Sequence, residues 1–270
     1  MVTASGTPLS IGRVSLRVND LASVADFYQR VVGLHRHDAD GEQITLGNGH
    51  KPLLTLIRDA SARRASPREA GLFHTAFLLP TRADLGGWLR HAADIGLRLD
   101  GAADHLVSEA VYLHDPEGNG IEVYRDRPSE QWPWQAGGVA MRNEPLDFDG
   151  ILAEGETSVW AGVPSDALVG HVHLKVGALE PAERFYRETL GLDVTCRFPG
   201  AVFYSSGGYH HHLATNIWNS RGAGVRSDHL TGLAEVEILR NAQGQGVPSS
   251  AGDGAQFTDP WGTVLSVRNA

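Results

Sequence analysis

The sequence predicts an α+β fold assembled from four βαβββ units, and an internal repeat is the first observation behind this prediction. Three pairs of residues define the repeat, each separated by 158 positions: Gly12 and Gly170, Phe27 and Phe185, and Gly33 and Gly191 (170−12, 185−27, 191−33). A constant offset without gaps indicates duplication, because unrelated segments do not keep register over such a distance.

The second observation is the periodicity that each copy shows. Residues 14–18 (VSLRV) and 172–176 (VHLKV) alternate apolar and polar side chains, which is typical of a strand. Residues 20–33 and 179–191 then place apolar side chains three and four apart, as an amphipathic helix does, and end on a glycine suited to a helix C-cap. Strand-like segments follow in both copies, which completes a βαβββ unit.

A second unit follows within each half. In the first half, residues 71–80 predict a strand, 82–96 a helix, and 109–124 a hairpin with its turn at Asp-Pro-Glu-Gly-Asn-Gly. The second half repeats the strand (232–239) and the hairpin (257–267), but its helix is reduced to the glycine-rich stretch 241–254. We therefore expect an N-terminal domain (8–127), a linker (128–167) and a C-terminal domain (168–270) whose last unit has a shortened helix.

Composition narrows the class of protein. Hydrophobic residues make up 41% and charged residues 20%, as in a globular protein, and the net charge is −9. An acidic chain without a basic stripe argues against nucleic acid and anionic membrane as partners. The lone Cys196 excludes an internal disulfide, and the N-terminal residues lack the pattern of a signal peptide, so we expect a cytoplasmic protein.

Three segments are similar to a known family: residues 104–128 (DHLVSEAVYLHDPEGNGIEVYRDRP), 170–176 (GHVHLKV) and 207–218 (GGYHHHLATNIW). Together with the repeat, they resemble the vicinal oxygen chelate superfamily of glyoxalases, extradiol dioxygenases and resistance proteins, and most of all its catechol-2,3-dioxygenase-like two-domain members. The resemblance implies that units pair into two half-open barrels. It also implies a divalent metal held by the first and last strands of the units, where it chelates two adjacent oxygens of a substrate.

Carried over to this chain, the resemblance implies a metal site in the C-terminal barrel formed by His171, His212 and Glu235. Two imidazoles and a carboxylate suit Fe(II) or Mn(II), although another divalent metal would also bind. The chain departs from the extradiol pattern because the final strand (263–267, TVLSV) has no acid, so Glu235 or its same-face neighbour Glu237 must supply the carboxylate.

The histidine run around His212 provides the other predicted site residues. If residues 210–212 lie in a strand, His210 shares a face with His212 and is a candidate catalytic acid or base, whereas His211 points away. Tyr209 and Trp218 flank this segment and are the predicted substrate contacts.

The first half offers an incomplete alternative. His74 and Glu122 match ligand positions of the family, and His105 matches a histidine close to the substrate. The remaining ligand position is Arg13, which cannot bind a cation because it has no free lone pair. We expect two ligands only, unless another residue completes the set, with Arg13 pairing with Glu122 as a salt bridge.

These observations predict a metal-dependent extradiol-type dioxygenase that acts on a catecholic small molecule and O2. Two alternatives stay open: a non-oxidative metal-dependent lyase or isomerase of the same superfamily, and a metal-free protein that binds an aromatic compound. A homo-oligomer is compatible with the sequence but is not specified by it.

Overall fold

Two large sheets hold most strands of residues 1–241 and 253–270, the part of the chain that the computed structural model of this protein describes. The first sheet contains β1 (Leu9–Val18), β2 (His35–Ala39), β3 (Gln43–Gly47), β4 (Pro52–Arg58), β15 (Gly232–Arg240), β16 (Ala255–Thr258) and β17 (Val264–Asn269). The second contains β5 (Gly71–Leu78), β6 (Gly101–Asp104), β7 (Ser108–His114), β8 (Gly120–Asp126), β11 (Leu168–Lys175), β12 (Asp193–Phe198), β13 (Ala201–Ser205) and β14 (Leu213–Asn216). A small ribbon consists of β9 (Trp134–Gln135) and β10 (Gly138–Val139).

Three of the four α-helices in the described residues follow the first strand of a repeated unit, and the fourth lies in the linker. They are α1 (Leu21–Phe27), which continues as a π-helical turn over Tyr28–Val32, α2 (Arg82–Asp94), α3 (Phe148–Glu154) in the linker, and α4 (Leu179–Glu188). The predicted α+β class is confirmed, with both sheets curled into half-barrels. The predicted reduction of the fourth helix falls on residues 241–254, most of which lie outside the described residues.

Each sheet joins two units through their first strands. In the first sheet β1 pairs antiparallel with β15, and in the second sheet β5 pairs antiparallel with β11. The first barrel therefore combines the first and fourth units, and the second barrel combines the second and third. This corrects the expectation of a barrel made from the C-terminal half alone. All four first strands have similar alternation, so sequence periodicity does not specify which of them pair.

A repeated hydrogen bond links two of the helical segments, those that contain Tyr28 and Tyr186, to a turn in the next unit of the chain. The buried hydroxyl of Tyr186 donates to Asp259 Oδ2 at 3.0 Å, and that of Tyr28 donates to Asp115 Oδ2 at 3.5 Å. Oδ1 of each aspartate accepts two backbone N–H groups within its own turn. Gly118 and Gly262 adopt positive φ (85° and 88°) in these turns, which confirms the predicted turn chemistry.

The helices cover the outer faces of the sheets. α1 packs on β3 and β4, α4 packs on β12, β13 and β14, and α2 packs on β8 and α3. Gly33 adopts a left-handed φ of 84° where the first helical segment ends, as predicted for a C-cap. Within the described residues, no helix combines the length and the apolar character that crossing a bilayer requires.

Candidate metal centre and adjoining cavity

Three side chains that can bind a metal ion meet in the second sheet: His74 on β5, Glu122 on β8 and His171 on β11. Strand β5 lies between the other two strands, and its Ala76 pairs with Glu122 on one side and with His171 on the other. Directly paired residues share a face of a sheet, and His74 shares that face with Ala76 because two positions separate them. Strand pairing alone thus brings the three side chains together.

The ligand atoms form a nearly equilateral triangle. His74 Nε2 lies 3.0 Å and His171 Nε2 lies 3.1 Å from Glu122 Oε2, and the two nitrogens are 3.3 Å apart. Adjacent ligands on one face of an octahedral ion with bonds of about 2.1 Å are separated by about 3.0 Å. The three residues therefore fit a two-histidine, one-carboxylate facial triad with the opposite face open.

Burial and mutual contact set the charge states of these groups. Burial lowers the pKa of His171 to about 4, so its imidazole is neutral near pH 7 and has a lone pair to offer. Burial alone would raise the pKa of Glu122, but the neighbouring imidazoles of His171 and His74 hold that pKa well below its ordinary value. Both groups are therefore in the deprotonated state that metal binding requires.

A cavity of about 450 Å³ opens beside the triad, and all three ligands line it. One wall is an aromatic cluster in which neighbouring ring centroids are 5.0–5.7 Å apart and pack edge to face: Phe73, His173, Phe203 and Trp218. Edge-to-face packing of this kind suits an apolar, planar ligand.

His105 and Tyr112 form a hydrogen-bonded pair that also lines the cavity. The Nδ1–H group of His105 donates to the Arg142 carbonyl at 2.9 Å, and the Tyr112 hydroxyl donates to His105 Nε2 at 2.6 Å. Burial, together with the charge of Glu122 and a hydrogen bond to it, raises the pKa of the Tyr112 hydroxyl well above its ordinary value. The phenol therefore stays protonated.

The predicted ligand set is not brought together, and two of its members are corrected. Glu235 lies in the first sheet, where it pairs with Ser15 and Val264, whereas His171 lies in the second. Both ring nitrogens of His212 already contact protein groups: Nδ1 contacts Ser205 Oγ at 2.9 Å, and Nε2 contacts Thr7 Oγ1 at 3.1 Å and the Ala4 carbonyl at 3.0 Å. His212 is a buried packing residue that anchors the N-terminal segment.

The orientations expected for the neighbouring histidines are also reversed. Residues 210–212 precede β14 and are not in a strand, so the alternation of faces assumed for them does not apply. His211 lines the cavity with its ring centroid 4.1 Å from that of His171. The ring of His210, the predicted catalytic residue, points instead to Asp126, with 2.7 Å between Nε2 and Oδ1.

The two predicted substrate contacts differ in their placement. Trp218 lines the cavity and is 45% exposed, so it stands at the mouth where a ligand enters. Tyr209 is fully buried, and its hydroxyl donates to Asp126 Oδ2 at 2.9 Å, so it does not reach the cavity.

The incomplete site of the first half becomes complete once β11 lies beside β5, because His171 supplies the third ligand. The expected Arg13–Glu122 salt bridge is not formed: Arg13 contacts Glu237 at 3.5 Å in the first sheet. The matches of His74 and Glu122 to family ligand positions were the available signal for the triad. The sequence did not indicate His211, because treating residues 210–212 as a strand placed its side chain on the face away from the site.

Comparison with known proteins finds one matching family model and several similar curated proteins. The family model described as the glyoxalase/bleomycin resistance protein/dioxygenase superfamily matches residues 10–123. The chain is 38% identical over 234 residues to a catechol-2,3-dioxygenase of Bacillus subtilis (strain 168), covering 85% of this chain and 82% of that protein. It is 26% identical over 173 residues to biphenyl-2,3-diol 1,2-dioxygenase 2 of Rhodococcus globerulus, covering 62% of this chain and 90% of that protein.

Solved structures share the fold. Glyoxalase I from Zea mays superposes with a TM-score of 0.56 at 14% identity, covering 98% of this chain and 94% of that one. Through its repeated units and its relatives, the chain belongs to the glyoxalase/bleomycin resistance protein/dioxygenase superfamily. Within that superfamily, the curated relatives it matches are named dioxygenases that act on catechol and biphenyl-2,3-diol.

Proposed function

We propose that this protein is an extradiol-type ring-cleavage dioxygenase for a catecholic substrate, with its divalent metal held by His74, Glu122 and His171. The observation that carries the proposal is the convergence of these three ligand atoms, within 3.3 Å of one another, on the wall of an aromatic cavity. The curated relatives named as dioxygenases support the same class of reaction.

The ligand set favours Fe(II), with Mn(II) as the second choice, since a two-histidine, one-carboxylate face suits both ions. When bound, such an ion supplies open coordination positions for adjacent oxygens and one-electron chemistry with O2. The protein holds the three ligands in place before the ion arrives, because β5, β8 and β11 fix their separation.

The cavity residues orient the substrate. The ring cluster of Phe73, His173 and Trp218 packs against the face or edge of an aromatic ring and excludes water from the metal side. A catechol leaves part of the 450 Å³ unfilled, so the cavity also admits a catechol with an apolar substituent.

His211 is the candidate acid or base. Burial keeps its pKa well below the ordinary value, so the ring is neutral and its free nitrogen accepts a hydrogen bond from a substrate hydroxyl. The ring lies against His171 on the cavity wall, so that hydroxyl would be one that faces the metal. His105, held by Tyr112 and Arg142, is a second polar group within the same cavity.

Elemental analysis and oxygen uptake test the proposal together. Protein purified without added metal, or reconstituted anaerobically with Fe(II), is expected to hold one ion and to consume O2 with catechol or biphenyl-2,3-diol. His74→Ala, Glu122→Ala and His171→Ala should lose the ion, whereas His50→Ala, at an exposed histidine, should retain it.

The outcomes separate the candidate functions. Triad variants that keep a full complement of metal would refute the site. A loaded protein that consumes no O2 with either diol would favour a non-oxidative lyase or isomerase. Tight binding of the diols with no metal in any preparation would favour a protein that sequesters aromatic compounds.

A further inference from the structure

A chain of hydrogen bonds leads from Asp126 to the wall of the cavity. Asp126 Oδ1 lies 2.7 Å from His210 Nε2, and His210 Nδ1 lies 2.8 Å from His211 Nδ1. Both imidazoles are buried, and His211 lines the cavity beside His171. Nε2 of His211 has no hydrogen-bond partner among residues 1–241 and 253–270.

The carboxylate sets the direction of every bond in this chain, because an ionised carboxylate only accepts. His210 must therefore carry its hydrogen on Nε2 and donate it to Asp126. A neutral His210 then has an unprotonated Nδ1, which accepts a hydrogen bond from the Nδ1–H group of His211. The Nε2 atom of a neutral His211 is consequently left without a hydrogen.

A second branch holds the same carboxylate in place. Tyr209 donates its hydroxyl hydrogen to Asp126 Oδ2 at 2.9 Å, and the Tyr124 hydroxyl lies 3.0 Å from the Tyr209 oxygen. Trp132 packs on the His210 ring with a centroid separation of 5.0 Å, which restrains the imidazole from rotating away. Asp126 thus has two buried donors and a single orientation that satisfies both.

We propose that Asp126 and His210 are positioning residues that fix the tautomer of His211, so that it presents an unprotonated Nε2 to the cavity as a hydrogen-bond acceptor. The role of this nitrogen, which is to accept a hydrogen bond from a substrate hydroxyl, rests on the proposed function. The tautomer itself follows from the buried hydrogen bonds and does not depend on which reaction the metal supports.

Nuclear magnetic resonance of the histidine rings tests this directly. Protein labelled with ¹⁵N-histidine, both metal-free and loaded with diamagnetic Zn²⁺, is recorded by two-bond ¹⁵N–¹H correlation, which distinguishes protonated from unprotonated ring nitrogens. His211→Gln assigns the signals by their loss. In the wild type we expect hydrogen on Nδ1 of His211 and on Nε2 of His210.

Asp126→Ala is the informative variant, since it removes the acceptor that holds the hydrogen of His210 on Nε2. Without that acceptor the hydrogen of His210 can move to Nδ1, and His211 should then populate its Nε2–H form. Tyr209→Phe is the matched control: it removes a donor from the same carboxylate but leaves the His210 contact, and the His211 pattern should be unchanged.

Either of two results would overturn the inference: hydrogen on Nε2 of His211 in the wild type, or an unchanged His211 pattern in Asp126→Ala. Because the wild-type spectrum alone tests the tautomer, a poorly folded variant does not remove the test. If the triad variants kept their metal, the proposed function would be refuted, but the histidine spectra would be unaffected. Failure of the proposed function and failure of the tautomer inference are therefore distinguishable.

Discussion

Glu122 is a buried carboxylate with two imidazoles as its close partners, at 3.0 and 3.1 Å. An ionised group removed from water is costly unless other charges compensate it. The divalent cation proposed for this site would supply that compensation, which gives a physical reason for a carboxylate in the middle of this sheet.

Glu122→Gln should therefore weaken metal binding while the fold is retained. The amide keeps the shape of the side chain but removes its charge, so we expect the dissociation constant of the metal to rise by at least about tenfold. Competition with a chelator measures this constant, and circular dichroism checks that the fold is retained. An unchanged constant would exclude Glu122 as a ligand.

His212 links stability to pH. Burial lowers its pKa to about 3 in the folded protein, while the unfolded chain has the ordinary value of 6.5. The unfolded state therefore gains a proton first as pH falls, and the stability present above pH 6.5 is lost progressively toward pH 3. One such group contributes a slope of at most about 1.4 kcal/mol per pH unit.

His212→Gln should lose that contribution. The variant is less stable at pH 7.5 because it loses contacts to Thr7, Ser205 and Ala4, and its deficit relative to wild type should shrink as pH falls from 6.5 to 5. Urea unfolding at several pH values measures the difference. A deficit that stays constant with pH would contradict the assignment of a buried neutral imidazole.

At the scale of elements, the repeat supplies a matched pair of substitutions. Tyr186 and Tyr28 are equivalent in sequence and both donate to an aspartate in the following turn, but at 3.0 and 3.5 Å. Asp115 Oδ2 also accepts from Asn119 Nδ2 at 2.7 Å, so the Tyr28 hydroxyl shares this acceptor atom with a shorter bond.

Tyr186→Phe should consequently destabilise the protein by about 1–2 kcal/mol, and Tyr28→Phe by less, since Asp115 keeps a side-chain donor. Chemical unfolding of the two variants under identical conditions gives the comparison. Equal losses, or a larger loss for Tyr28→Phe, would show that the shorter bond is not the stronger link between helix and turn.

At the scale of the whole molecule, the ligands come from both halves of the chain. His74 and Glu122 precede the linker and His171 follows it, and their strands are adjacent only because β11 pairs with β5. The proposed metal site would therefore depend on the pairing between halves, because neither half contains all three side chains.

Expressed separately, residues 1–140 and 141–270 should each fail to bind the metal, and co-expression should restore binding. Each fragment exposes the unpaired edge of a first strand, which favours reassociation. Elemental analysis measures the metal content of the purified fragments and of their complex. Stoichiometric metal in the C-terminal fragment alone would support a site confined to that half and refute the triad described above.

The sequence by itself determined the repeating unit, the turns and the family, because these depend on local spacing: Gly33 ends a helix and Gly118 forms a turn wherever the strands lie. It also predicted His171 as a ligand and His74 and Glu122 as an incomplete ligand set. Only the tertiary structure decided that His171 lies beside His74 and Glu122, that His212 is a packing residue, and that His211 faces the cavity. The reason is that strand pairing joins positions about 100 residues apart through edges of equivalent pattern, which no local periodicity can distinguish.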